Sequence, residues 1–347
     1  MKAAVFYEKR DIRIQDFKLR KLKGGEVLLK VHACGVCGTD VHIYEGAEGS
    51  ATAFPPVILG HEFSGEVCET GDDVKDVKIG DRVCVDPNIF CGKCHYCRKG
   101  KVHLCERLTA IGVTIHGGFA EYCIVPESHL YILPDNVSYE EGAMGEPIAC
   151  CLHGIDLSGI SPGDTVLIIG GGTIGLIMLQ LAKIAGAARL ILSEPVKEKR
   201  NLALKLGVDF VVDPVNENFE GTIKKHTCGG VDIAIECVGI KQTMEQAIQS
   251  ACKGGTVMMF GLTPPDCEIS LKPFDVFKRE LTIKSSFINP FTQARAVELL
   301  ASGRLKVNDL ISNVVPLDNI AELFENENLR KKGKIIVKPW LGDWVTG

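Results

Sequence analysis

The sequence predicts an α/β chain of two domains: an irregular, β-rich one and a doubly wound parallel sheet. Three observations carry the prediction. The 347 residues exceed what a single core usually fills. From about Asp164, short apolar runs alternate with stretches of helical spacing, as strands do with crossover helices. Before that point the apolar runs alternate in character and are broken by Gly, Pro and Asp clusters.

In the first third, strands are expected at 26–33, 82–85 and 119–125. Ser138-Tyr139-Glu140-Glu141 is a capping-box pattern that opens helical structure, and 148–157 continues as a helix behind Pro147. In the second part, strands are expected at 166–169, 190–193, 210–212, 231–235, 256–260 and 281–284. Helices are expected at 174–185, 196–206 and 242–252, with Gly207 and Gly254 at their C-terminal stops. The tail adds helices at 293–301 and 319–328 and a strand at 334–338. There is no internal repeat and no low-complexity segment.

Composition excludes several classes. Lys plus Arg number 39 against 44 Asp plus Glu, a net charge of -5. That balance, with no basic tract, offers no electrostatic footprint for nucleic acid. The start of the chain lacks a basic region followed by a long apolar one, so a reducing compartment, the cytoplasm, is expected. There the 15 cysteines are thiols or metal ligands. Residues 165–182 carry no charge, but Gly170 to Gly172 interrupt them, and strand, turn and helix is a better reading than a membrane span.

Gly170-Gly171-Gly172-Thr173-Ile174-Gly175 is G-x-G-x-x-G, directly after an expected strand and opening an expected helix. The glycines allow a tight turn and close backbone approach, and the helix N-terminus faces a pyrophosphate. Glu194 ends the next expected strand, where a carboxylate accepts hydrogen bonds from an adenosine ribose and repels a 2′-phosphate. NAD is therefore expected over NADP, with Lys197 and Arg200 near enough to blunt the preference. The alternative is a glycine-rich turn without a ligand.

Cys91, Cys94, Cys97 and Cys105 give C-x2-C-x2-C-x7-C. Four thiolates in so short a loop suit a closed tetrahedral zinc with a structural role. An iron–sulfur cluster takes the same ligands, but Glu106 stands where cluster runs commonly carry Pro. Elsewhere, Cys37-Gly-Thr39-Asp40-Val-His42 and Gly60-His61-Glu62 are polar clusters in apolar surroundings, and Glu146 is a further carboxylate before Pro147. Cys, His and carboxylate can hold a zinc with one position open. A buried thiol, a core histidine and a helix-start carboxylate account for them equally well on spacing alone.

Together these motifs resemble the zinc-containing medium-chain alcohol dehydrogenase family, in its polyol, sorbitol-dehydrogenase-like branch, over essentially the whole chain. The resemblance implies a GroES-like irregular β-barrel catalytic domain at 1–153, with the zinc lobe at 88–108. A Rossmann-type NAD-binding domain follows at 154–288, and 289–347 return to the first domain, with the active site in the cleft. It implies Cys37, His61 and Glu62 as catalytic-zinc ligands, Glu146 as a fourth ligand or water-mediated neighbour, and Asp40 orienting His61. It implies cofactor contacts at Gly170, Gly172, Thr173, Ile174, Gly175, Glu194 and Arg200. Thr39 would take the substrate proton and pass it, by the cofactor ribose, to His42. Tyr44, Phe54 and Phe119 are candidate pocket walls.

The expected reaction is oxidation of a secondary alcohol of a small polyol or sugar alcohol to a ketone, with hydride transfer to NAD. Animal-type sorbitol dehydrogenases carry an arginine after the phenylalanine that resembles Phe287, where this chain has Ile288 and Asn289. The Cys37 stretch also resembles threonine 3-dehydrogenase, and butanediol dehydrogenases share the layout, so both stand as alternatives. The family further implies a homotetramer or dimer, and a small-molecule alcohol as the partner.

Overall fold

The computed structural model describes residues 1–47 and 51–341. The chain divides into two compact units, Met1–Ala149 with the segment from Asn289 onward, and Cys150–Ile288.

In the first unit a seven-stranded sheet runs in the order Leu130–Ile132, Arg82–Val85, Glu62–Thr70, Glu26–Gly35, Lys334–Lys338, Ile311–Pro316, with Tyr122–Pro126 also paired to Glu26–Gly35. Glu26–Gly35 buries every second side chain from Val27 to Val31, the period of a strand with one face on a core. The tail closes this sheet. Lys334–Lys338 lies antiparallel to Glu26–Gly35, with Ile336 opposite Gly35 and Val337 opposite Cys34. A three-stranded sheet, Asp11–Asp16, Lys2–Glu8 and Val57–Ile58, packs into the same apolar core.

The second unit is a six-stranded, all-parallel sheet. Its order is Phe210–Val212, Arg189–Ser193, Thr165–Ile169, Val231–Glu236, Ala251–Met259, Thr282–Ser285. The order reverses between Thr165–Ile169 and Val231–Glu236, and the crevice outside the carboxyl ends of such a pair is where ligands bind in doubly wound sheets.

Most expected elements stand within a residue or two. Residues 165–182 resolve into a strand, a turn and the helix Thr173–Ala185, and no helix among the described residues is long and apolar enough to cross a membrane. Ser138 closes its capping box on Glu141. Three expectations need correction. The helix at 242–252 stops at Ser250, because Ala251 already pairs with Val231. Gly254, at φ +78, is therefore no helix stop and lies in the bulged start of the next strand. The helix at 319–328 is two short ones, Ile320–Glu325 and Glu327–Arg330, because the Asn326 side chain caps the second. The sequence reading missed Phe219–His226 and Pro273–Arg279, which are too short to show a full apolar stripe.

Candidate metal centre and dinucleotide-binding turn

Cys37 follows the strand Glu26–Gly35 and caps the short helix Gly38–Tyr44. Its Sγ accepts from Thr39 N at 3.5 Å, while its own N–H donates to Asp40 Oδ2 at 2.8 Å. This reciprocal box fixes both side chains. The other carboxylate oxygen, Asp40 Oδ1, accepts from Gly60 N at 3.3 Å and lies 3.4 Å from His61 Nδ1. That approach is an ion-pair distance without hydrogen-bond alignment, since His61 Nδ1 has no hydrogen-bond partner. Gly60 has φ +92, and a Cβ there would press within 2.8 Å of Cys34 Sγ and the Phe119 ring. Only glycine turns the chain tightly enough to deliver His61 and Glu62.

One ligand atom each from Cys37, His61 and Glu62 lies within 4.8 Å of the others. Burial disfavours a charged His61, but the Asp40 and Cys37 charges outweigh it and hold the imidazole well above its ordinary value. A soft thiolate, an imidazole and a carboxylate converging in a buried place fit zinc with a position to spare. Glu146 is buried at the head of the helix Gly145–Ser158 and stands outside this 4.8 Å group.

The sequence reading missed Lys334. Its ammonium, 5% exposed, lies 2.5 Å from Glu62 Oε2 and donates to Val36 O at 3.1 Å. Burial alone would lower its pKa. The charges of Glu62, Cys37 and Glu146 override that penalty and raise it above the ordinary lysine value. Nothing in the local Lys332-Gly333-Lys334 run signals this, because the partner is 272 residues away.

Cys91, Cys94, Cys97 and Cys105 also converge, with Sγ–Sγ separations of 3.5 Å for Cys94–Cys97 and 4.0 Å for Cys91–Cys97 and Cys94–Cys105. Zn–S bonds of about 2.3 Å in a tetrahedron require roughly 3.8 Å between sulfurs. Backbone N–H groups of Cys94, Cys91 and Arg107 point at Cys91 Sγ and Cys105 Sγ, and the Lys93 N–H leads in pulling the Cys91 thiol down to about 6. Burial pushes the Cys97 thiol up to about 12, so it is the convergence of the four Sγ atoms that suits a metal.

In the second unit Gly170 takes φ +101, and a Cβ on Gly175 would lie 1.8 Å from Gly170 O. Gly172 precedes Thr173–Ala185 without a side-chain cap, so the helix offers its first N–H groups to an anion. Glu194, one residue beyond its strand, is buried. Its Oε2 accepts from Gly171 N at 2.6 Å and its Oε1 from Val196 N at 2.9 Å. Arg200 donates to Glu194 O and Pro195 O and pairs with Asp213 at 3.0 Å, so its guanidinium is engaged rather than free to meet a phosphate. At the neighbouring strand ends, Ser193 Oγ and Glu236 Oε2 are buried without partners. The turn fits a dinucleotide.

Thr39 and His42 are half-buried, three residues apart on one helix, and so share a face. The aromatic candidates are corrected. Tyr44 and Phe119 are fully buried in the core, where both pack on Phe324, and they have no surface to offer a ligand. Phe54 alone of the three is exposed.

Comparison with known proteins accords with this geometry. An alcohol dehydrogenase GroES-like domain matches residues 23–135 and a zinc-binding dehydrogenase domain matches 173–302. L-threonine 3-dehydrogenase of Pyrococcus furiosus is 37% identical over 90% of each chain. D-arabinitol dehydrogenase 1 of Uromyces fabae is 34% identical over 97% of each. The chain belongs to the zinc-containing medium-chain alcohol dehydrogenase family. Among solved structures, a zinc-binding dehydrogenase of Sinorhizobium meliloti 1021 bound to NADP is 41% identical, with TM-score 0.93 over 97% of this chain and 99% of that one. The 2R,3R-butanediol dehydrogenase of Bacillus subtilis is 33% identical, with TM-score 0.89 over the same shares. The chain is thus an oxidoreductase of a family that uses zinc and a nicotinamide cofactor.

Proposed function

We propose that the protein oxidises a secondary alcohol of a small polyol or sugar alcohol to a ketone, passing hydride to NAD. The observation that carries this reading is the cluster of half-buried Cys37 with buried His61 and Glu62, a three-residue donor set that would leave a tetrahedral zinc one open position. Cys37, His61 and Glu62 would hold the metal, with Glu146 as a fourth ligand or a water-mediated neighbour, and Cys91, Cys94, Cys97 and Cys105 would hold a second, structural ion. A zinc held there would supply a Lewis acid to an alcohol oxygen, and a bound dinucleotide would supply the hydride acceptor. Asp40 steadies His61. The Thr39 hydroxyl takes the substrate proton, and His42, on the same helix face, carries it onward.

Gly170, Gly172, Thr173, Ile174 and Gly175 bind the pyrophosphate, and Glu194 accepts from the ribose. A carboxylate there favours NAD, and Arg200, tied to backbone carbonyls and Asp213, does not offset it. A neutral substrate suits the metal cluster. Lys334, a cation at the cluster, is already paired with Glu62, so it is not free to meet an amino-acid carboxylate. The threonine reading is favoured instead by the Pyrococcus relative.

The protein works in a reducing compartment, the cytoplasm, in keeping with its unbridged cysteines. It works as a homo-oligomer. Support comes from the open edge strand Thr282–Ser285 and from Phe274 and Phe277, exposed on the helix before it. Following NADH absorbance across polyols, butanediols and threonine tests the substrate class. Turnover with threonine alone would overturn the polyol reading.

A further inference from the structure

Glu236 ends the central strand Val231–Glu236, opposite Ile169, the residue before the glycine turn. Its side chain is wholly buried, an expensive place for a carboxylate. One oxygen gathers three donors: Val238 N at 2.8 Å, Gly239 N at 2.9 Å and Thr243 Oγ1 at 2.7 Å. The other oxygen has no partner. A Cβ on Gly261 would sit 2.7 Å from that oxygen and 2.3 Å from Gly239 N, so the chain after the next strand is pressed against the same group. The Glu236 carbonyl accepts from both Phe260 N and Gly261 N.

These bonds give the segment 237–240 one shape. Cys237 N donates to Ile169 O at 2.9 Å, and Val238 Cγ2 lies 2.7 Å from where a Cβ on Gly170 would be. Amid fully buried strands, the apolar side chains of Val238 and Ile240 are left 44% and 48% exposed, beside the turn and at the reversal of strand order. We propose that Glu236 is a positioning residue for the dinucleotide. Its carboxylate holds Val238 and Ile240 as a preformed apolar wall of the crevice, and it does not touch the cofactor itself. A charged acceptor serves here because three donors converge on one oxygen, and a carboxylate oxygen takes several such bonds without contributing a proton of its own. The inference rests on the dinucleotide reading of the glycine turn.

The test compares wild type, Glu236→Gln and Thr243→Val, each metal-loaded, by fluorescence titration with NADH, by KM for NAD and for alcohol, and by melting without cofactor. Glutamine keeps the volume but places an amide N–H2 where no acceptor waits. The expected result for Glu236→Gln is NADH binding weaker by about ten-fold, the loss typical of a charged hydrogen bond, with KM for NAD rising in step. KM for alcohol and zinc content stay near wild type, while cofactor-free melting falls modestly because the buried amide N–H2 is left unpaired. Thr243→Val removes one donor and shifts the same two quantities in the same direction by roughly two- to four-fold. It decides the matter should Glu236→Gln not fold. NADH affinity at the wild-type level in both variants overturns the proposal. So does a loss spread equally over alcohol KM, zinc content and melting, which marks a residue that only supports the fold. If wild type itself fails to bind NADH, the underlying dinucleotide reading has failed instead.

Discussion

Replacing Lys334 with methionine tests the electrostatics of the metal cluster most directly. The side chain keeps its length and loses its ammonium, leaving Glu62 with no cation at 2.5 Å and Val36 O without its donor. Both members of the pair are buried, so water does not replace what is lost. Removing one partner of such a pair costs about 3–5 kcal/mol, a large share of the roughly 5–15 kcal/mol that holds a domain folded. Zinc changes the result, because a divalent cation beside Cys37 and His61 offers Glu62 a new partner. The expected outcome is a loss of about 3–5 kcal/mol in chelator-stripped protein and a distinctly smaller one after zinc is restored. Urea unfolding of both proteins in both metal states, followed by fluorescence, measures the four free energies. A stripped variant within about 1 kcal/mol of wild type, or a loss of equal size with and without zinc, would refute the argument that Lys334 balances the charge of the cluster.

Further outcomes follow from the same geometry. Cys37→Ala should abolish turnover and lower zinc content by about half, since the four-cysteine lobe is a separate site; elemental analysis with an activity assay checks both. Glu194→Ala removes the carboxylate at the glycine turn and should narrow discrimination against NADP, read as the ratio of kcat/KM for the two cofactors. A wild-type enzyme that already prefers NADP would contradict the ribose assignment. Gly175→Ala puts a carbon 1.8 Å from Gly170 O. It should weaken NADH binding by well over ten-fold, because the turn must open to admit it.

The parallel sheet was legible because its units are local. Each strand, turn and helix completes itself within about 30 residues, and Gly207, at φ +93 after Leu206, ends its helix as the residue type requires. The four-cysteine lobe was legible for the same reason, with all ligands inside 91–105. Gly254 misled because a glycine after an apolar stretch reads alike as a helix stop or a strand bulge. Only the pairing of Ala251 with Val231 separates the two.

The aromatic candidates show a different limit. Tyr44 lies seven residues after Cys37 and the Phe119 ring lies beside Gly60, yet Phe324 from the tail packs on both and draws them into the core. Residue type, spacing and periodicity therefore determined the class of fold and the thiolate lobe, while the resemblance to a family, and not spacing, singled out the thiol, imidazole and carboxylate as metal ligands. Tertiary structure alone decided that Glu62 shares its charge with Lys334, that Arg200 is engaged, and that Glu236 is sealed behind the glycine turn. For Glu62 the physical reason is that a buried charge takes its partner from the neighbouring part of the fold, here 272 residues away along the chain; for Arg200 and Glu236 the partners are near in sequence, but which donors and acceptors converge depends on how the turns fold.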